Sequence, residues 1–113
     1  MNFEIFTTEE FSRQVKQLAK KYRSLAKDLS TFQDELQKNP TMGVNLAPNL
    51  FKCRMAISSK GKGKSAGARI ITYLLTDDRK IYLVSIYDKS EREAIAMQDI
   101  RVILKAEGLW IEE

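Results

Sequence analysis

Phe11, Val15, Leu18, Tyr22, Leu25, Leu29, Phe32 and Leu36 follow one another at spacings of 4, 3, 4, 3, 4, 3 and 4. At 3.6 residues per turn this lays one apolar stripe along one helical face. Two folded forms fit the stripe. One is a single long helix with a coiled-coil seam. The other is a pair of helices folded together, with a break near Tyr22–Ser24 and Ser24 as cap of the second. A helix of about 30 residues is far above the usual length of about 11–12, so the hairpin is expected. Thr7 or Thr8 caps the first helix, with Glu9 and Glu10 in its first turn, where the helix dipole favours anions. Asn39–Pro40 ends the helical region.

A stripe of this kind needs a surface to cover it, and the remaining sequence reads mostly as strands. Asn2 to Phe6 alternates polar and apolar residues and predicts a short strand. Thr41 to Asn49, with Gly43 and Pro48, predicts a loop. Leu50 to Ile57 predicts a strand with Phe51, Cys53, Met55 and Ile57 on a core face and Lys52 and Arg54 on the other. After a Gly/Ser/Lys connection at Ser58 to Gly67, Arg69 to Thr76 and Lys80 to Tyr87 predict a hairpin turned by Asp77-Asp78-Arg79. Ser90 to Glu93 spells a capping box and opens a last helix, with Ile95, Ile100, Ile103 and Leu104 on its apolar face and Gly108 at its end. The tail Leu109–Trp110–Ile111 either docks on the sheet or is offered to a partner. The expected class is α+β: two N-terminal helices packed on a small curved antiparallel sheet, with a C-terminal helix and the helices gathered on one face. A length of 113 residues predicts one domain over 1–113.

The chain has no histidine and one cysteine, Cys53. This excludes a Ser/His/Asp triad, a histidine acid–base pair, a His- or Cys-based zinc site and an internal disulfide. Any catalysis must use Lys, Arg, Tyr, Asp or Glu. Cys53 falls on the predicted core face and reads as a small buried hydrophobe. No apolar run approaches the ~20 residues of a membrane span, and the start lacks the pattern of a signal peptide. The expected location is the cytoplasm, with no membrane partner.

The net charge of +4 is unevenly spread. Residues 52–80 carry 8 basic and 2 acidic side chains, whereas residues 81–113 carry 4 basic and 7 acidic ones. Between Lys52 and Arg69 there are six cations and no acid. Such a segment draws a polyanion. Within it, Lys60-Gly61-Lys62-Gly63-Lys64-Ser65 resembles the end of a Walker A loop, but Ser58 stands where the first glycine belongs and a strand follows where a helix should. Two readings of Lys60, Lys62 and Lys64 stay open: a solvated lysine loop, or a loop whose glycines let the backbone close on a phosphate. If the strands at 50–57 and 69–76 pair, Lys52, Arg54 and Arg69 meet on one sheet face. In Tyr87-Asp88-Lys89-Ser90, Lys89 adds a cation near that patch, whereas Asp88 and Ser90 read as turn and cap residues.

Phe51-Lys52-Cys53-Arg54-Met55, then Gly61 to Tyr73 (GKGKSAGARIITY), then Ile81 to Glu93 (IYLVSIYDKSERE) resemble the RelE/ParE toxin superfamily, in particular its HigB/RelE-like branch. The resemblance covers most of the chain. It implies the toxin of a type II toxin–antitoxin pair, a metal-independent and ribosome-dependent mRNA endoribonuclease with no cofactor. Its implied partners are a cognate antitoxin, the ribosome and mRNA. By position, Lys52 is implied as general base, Arg54 and Arg69 as the residues that hold the scissile phosphate, and Lys89 as a further phosphate ligand or proton donor. Lys60, Lys62, Lys64 and Tyr87 are expected to bind RNA or phosphate. Two departures stand out. Ala66 replaces a glycine, and Ile95 stands where such nucleases often place an aromatic acid, so the general acid is unassigned unless Tyr87 substitutes. Two rivals remain. One is a ParE-like inhibitor of DNA gyrase that cuts no RNA. The other is a degenerate, non-catalytic RNA- or partner-binding module.

Overall fold

The computed structural model describes residues 2–110. Its elements are β1 (Glu4–Thr7), α1 (Glu9–Lys21), α2 (Leu25–Lys38), β2 (Val44–Ala47), β3 (Leu50–Met55), β4 (Ala68–Leu75), β5 (Lys80–Asp88) and α3 (Met97–Ala106). Two short 3₁₀ turns, Ser58–Lys60 and Lys64–Ala66, bridge β3 and β4. The strands form one sheet in the order β1-β5-β4-β3-β2. The expected α+β class is the one observed. No helix among the described residues is long and apolar enough to cross a membrane.

The apolar stripe folds as a helical hairpin. Thr8 caps α1: its hydroxyl oxygen accepts from the Phe11 amide at 3.0 Å and donates to the Val84 carbonyl at 2.7 Å, which ties the helix start to β5. The break falls at Tyr22, whose backbone turns extended and whose hydroxyl reaches the Asp88 carboxylate. Ser24 precedes α2 but does not cap it. Its hydroxyl donates instead to the Asp28 carboxylate at 2.8 Å and accepts from the Ser59 amide at 2.9 Å. Phe11, Leu18, Leu25, Leu29, Phe32 and Leu36 bury their side chains against Cys53, Met55, Ile57, Ile70, Leu83 and Ile86 on one face of the sheet.

Four details depart from the sequence reading. First, β1 pairs with β5 in parallel, Ile5 opposite Ile81, so the sheet is mixed. The long connection between them, which runs through α1, α2 and the other three strands, lets β5 lie parallel to β1, and residue alternation carries no direction. Beyond Leu83, where β1 stops, Thr8 and Gln14 serve the edge of β5; the Gln14 side-chain oxygen accepts from the Ile86 amide at 2.8 Å. Second, the expected loop at 41–49 contains β2, which pairs with β3 through a turn made by Asn49 at φ 66°. Four residues between Gly43 and Pro48 are too few to show periodicity.

Third, α3 begins at Met97, not at Ser90. The Ser90 amide and hydroxyl both donate to Asp88, at 3.0 and 2.8 Å, and Glu93 pairs with Lys89. The capping-box residues thus serve a turn at the end of β5. Fourth, α3 lies on the sheet face opposite α1 and α2. Ile100 and Leu104 are fully buried there against Leu50, Ile71 and Val84. The centre of the sheet is therefore covered on both faces, which suits the continuous apolar runs of β4 and β5. Gly108 (φ 73°) turns the chain out of α3, and Leu109 and Trp110 pack on this second core. The tail docks on the sheet as far as Trp110; Ile111 lies outside the described residues.

Candidate functional site

The α3 side of the sheet is not covered along its whole length. Leu50, Ile71 and Val84 lie under α3, and beyond them the face turns cationic. Arg54 pairs with Arg69 across β3 and β4, and Arg69 with Tyr87 across β4 and β5, so the three side chains occupy one row. Lys52, two residues before Arg54, shares their face and lies opposite Val44 of β2. Over this end of the sheet opens a cleft of about 440 Å³, lined by Met42, Gly43, Val44, Lys52, Cys53, Arg54, Lys64, Arg69, Lys89 and Glu93. All four residues named as catalytic from the sequence, Lys52, Arg54, Arg69 and Lys89, meet here. So does Lys64 of the glycine loop.

Among the described residues, five cations thus face one carboxylate. Glu93 is held by Lys89 at 2.7 Å, and Lys64 contacts Glu35 of α2 at 3.3 Å in an exposed pair. The Lys89 ammonium keeps the Glu93 carboxyl below its ordinary range. Among the described residues, the Lys52 ammonium and the Arg54 guanidinium have no hydrogen-bond or ion-pair partner.

Arg69 is the centre of the site. It is only 6% exposed, yet among the described residues no carboxylate neutralises it. Its guanidinium donates to three backbone carbonyls: Lys64 at 3.2 Å, Ala68 at 3.3 Å and Ser65 at 3.0 Å. A buried charge without a counter-ion is costly, and carbonyl dipoles compensate it only in part. An anion in the cleft would complete the compensation. The guanidinium has five N–H donors in a planar fork suited to two-pronged contact with phosphate oxygens.

The carbonyl cradle is built by close packing. A Cβ on Gly67 would lie 2.1 Å from the Met55 carbonyl oxygen, so only glycine lets β4 enter beside β3 at this point. Gly43 is constrained in the same way: at φ 96°, a Cβ would lie 2.5 Å from the Lys52 carbonyl oxygen. This close approach sets Met42 and Val44 as one wall of the cleft.

Of the residues expected to bind phosphate, Lys60 lies apart from the cleft. It lies on the other side of the sheet. Its ammonium donates to Asp88 at 2.6 Å and to the Ala66 carbonyl at 2.9 Å, and it sits over the Tyr22 ring. Burial alone would push the Asp88 carboxyl up; the bonds from Lys60, Tyr22 and Ser90 outweigh it and hold the group well below the carboxylate range. Lys62 is exposed and does not line the cleft. Tyr87 is buried, does not line the cleft, and its hydroxyl has no partner among the described residues. Burial pushes the Cys53 thiol up to about 11, and its sulfur donates to the Met42 carbonyl, so it is an inert wall and not a nucleophile.

Sequence reasoning missed Glu93, the Met42–Val44 wall and the two buried acids, Asp88 and Asp28, that hold the loop base. Asp28 accepts from the Ser58 amide at 2.9 Å, from the Ser58 hydroxyl and from Ser24. Nothing in its position between Leu25 and Leu29 distinguishes it from a solvated helix residue.

No protein-family model matches the chain. Among solved structures it is similar to a free E. coli RelE toxin carrying two arginine-to-alanine substitutions, with a TM-score of 0.59, 14% identity, and coverage of 82% of this chain and 90% of that one. It is also similar to the isolated E. coli RelE toxin (TM-score 0.58, 12% identity, 93% and 98% covered). A third similar structure is the RelBE2 toxin–antitoxin complex of Mycobacterium tuberculosis (TM-score 0.55, 14% identity, 78% and 99% covered). The fold is therefore RelE-like.

Proposed function

We propose that this chain, with its RelE-like fold, is the toxin of a toxin–antitoxin pair and acts as a metal-independent, ribosome-dependent mRNA endoribonuclease in the cytoplasm. The observation that carries this reading is Arg69: a buried guanidinium in a cationic cleft, held by backbone carbonyls and with no carboxylate partner among the described residues. The cleft is cut into the face of a sheet, open enough to admit a backbone phosphate with the nucleotides on either side of it. In the proposed reaction Lys52 takes the proton of the ribose 2′-hydroxyl, and the 2′-oxygen attacks the adjacent phosphorus. Arg54 and Arg69 hold the phosphate and stabilise the charge that grows on it. Lys64 and Lys89 neutralise it from either side, and Lys62 meets the flanking backbone from the loop.

The ribosome presents the strand, since a shallow charged cleft does not itself splay out a base. An antitoxin covers the cleft and silences the toxin. Two of the similar structures are, by their descriptions, a toxin–antitoxin complex and a RelE toxin bound to an antitoxin peptide. The test is to induce the chain alone in bacteria, with and without Lys52→Ala/Arg69→Ala, and to map mRNA 5′ ends. Growth arrest with new in-frame cuts, both lost in the variant, is the expected result. Arrest with intact mRNA and DNA-damage signalling would replace this reading by gyrase inhibition; no arrest would point to a non-catalytic binding module.

A further inference from the structure

The two flanks of the cleft differ in kind. On the β5 side stand Lys89 and Glu93, and on the β2 side stand Met42, Gly43 and Val44, whose side chains carry no nitrogen or oxygen. Val44 is 60% exposed. An exposed valine on its own needs no explanation. This one lines the cleft and stands directly opposite Lys52 on the same sheet face. The wall is also fixed in place. The Met42 amide donates to the Asn39 carbonyl at 3.1 Å, and the Met42 carbonyl accepts from the Cys53 thiol at 3.3 Å. The Met42 side chain packs on the core shared with α1 and α2. Val44 is β-branched, so its side chain has little rotational freedom to lose when something packs on it.

The order of the strands gives a bound RNA a direction. Val44 is on β2, Lys52 and Arg54 on β3, Arg69 on β4, and Lys89 follows β5. Neighbouring strands lie ~4.8 Å apart, so Val44 is roughly 10 Å from Arg69, measured across the strands. A phosphate held by Arg54 and Arg69 therefore leaves room for a nucleoside on the β2 side. The inference rests on the nuclease reading above, in which Lys52 takes the proton of the 2′-hydroxyl. That hydroxyl belongs to the ribose on the 5′ side of the phosphate, and this ribose must lie toward Lys52 and Val44.

We propose that Met42 and Val44 seat the base of the nucleotide whose 2′-hydroxyl attacks, and that the RNA strand crosses the sheet from β2 toward β5 in the 5′ to 3′ direction. The base lies flat on the Val44 side chain and holds its ribose beside Lys52. The side chains of the wall have no donor or acceptor, so the seat reads the size of the base and not its identity. A purine buries more of the wall than a pyrimidine, and either buries more than a ribose without a base. On the 3′ side the strand leaves past Lys89 and Glu93, which offer charge in place of an apolar surface.

The experiment compares the full chain, Val44→Ser and Val44→Ile on ribosomes programmed with short mRNAs. The mRNA is complete, or lacks the base on the 5′ side of the cleavage position, or lacks the base on the 3′ side. Val44→Ser is expected to lower kcat/KM about tenfold on the complete mRNA, the effect of no longer burying most of a valine. The loss should fall mainly on KM, as for an interaction already made in the bound state. Without the 5′ base, Val44→Ser and the wild type should cut at the same rate; without the 3′ base, the tenfold difference should persist. Val44→Ile, which keeps the apolar surface, should retain the dependence on the 5′ base. No loss on the complete mRNA, or the same loss without the 5′ base, would overturn the seat and leave the nuclease reading intact. A difference that disappears with the 3′ base would reverse the strand and overturn the proposal in that way. A lowered melting temperature in both variants, with the loss in both, would make Val44 a support of β2 and not a seat. A wild type that cuts no mRNA would remove the nuclease reading and this inference together.

Discussion

The Lys60 ammonium lies 2.6 Å from the Asp88 carboxylate, and this contact joins the helical side of the sheet to the cleft on the other side. The Asp88 side chain is fully buried and that of Lys60 is 12% exposed. The same ammonium holds the Ala66 carbonyl, and so fixes the turn whose neighbouring carbonyls, Lys64 and Ser65, cradle Arg69. Removing one partner leaves the other charge buried alone. Asp88→Asn and Lys60→Met are each expected to lower the unfolding free energy by roughly 3–5 kcal/mol. Urea denaturation measures this, and the double variant should lose less than the sum of the two. Additive losses would show that the two residues do not act as a pair.

The same carboxylate gives acid sensitivity a sign. The folded-state pKa of Asp88 lies below the unfolded value, so folding favours the ionised form. Its contribution is fully present above the unfolded value of about 3.9 and is lost as pH falls from there toward the depressed folded value. The urea midpoint should therefore drop between about pH 5 and pH 3. Asp88→Asn, lower throughout, should drop less over that interval. Parallel curves for the two proteins would refute the assignment.

Arg69 makes a separate prediction about ligands. If its uncompensated charge forms an anion site, inorganic phosphate or a non-cleavable 2′-O-methyl oligonucleotide should raise the melting temperature of the wild type. A ligand at about 100 times its Kd adds ~2.7 kcal/mol. Arg69→Met should lose most of that gain. Its cleavage rate should fall by on the order of 3 kcal/mol of transition-state stabilisation, or about 100-fold. Lysine cannot reproduce the planar fork that spans the cradle, so Arg69→Lys should also be strongly impaired.

The sequence disclosed the broad design because its carriers are periodic or compositional. The eight-residue stripe predicts the helical hairpin, the β-rich runs at 69–76 and 80–87 predict the central strands, and the crowding of cations predicts the patch. What it could not disclose depends on contacts between distant residues. Lys60 and Lys64 are equivalent in a Gly–Lys repeat, and only the two 3₁₀ turns send one to Asp88 and the other to the cleft. Asp28 and Asp88 look like surface acids until their donors arrive from 30 and 28 residues away in the chain. The Ser90–Glu93 pattern fits a helix cap, but the Asp88 carboxylate takes the serine first and Lys89 takes the glutamate.

Glu93 gives the last prediction. Among the described residues it is the one carboxylate lining a cleft of five cations, and an incoming phosphate would compete with it for Lys89. Glu93→Gln should tighten binding of a single-stranded 2′-O-methyl oligonucleotide, most at low salt, where exposed charges are least screened. Lys89→Gln should weaken binding and reduce the slope of log affinity against log salt by roughly one phosphate contact's share, ~0.7. The two substitutions are coupled, because Glu93 acts largely through Lys89. On the Lys89→Gln background, Glu93→Gln should retain only the small effect of removing a like charge from the path of the strand. Fluorescence anisotropy over a salt series measures all four proteins of the cycle. An undiminished Glu93→Gln effect without Lys89 would mean that the carboxylate repels RNA directly and does not act as a displaceable counter-ion.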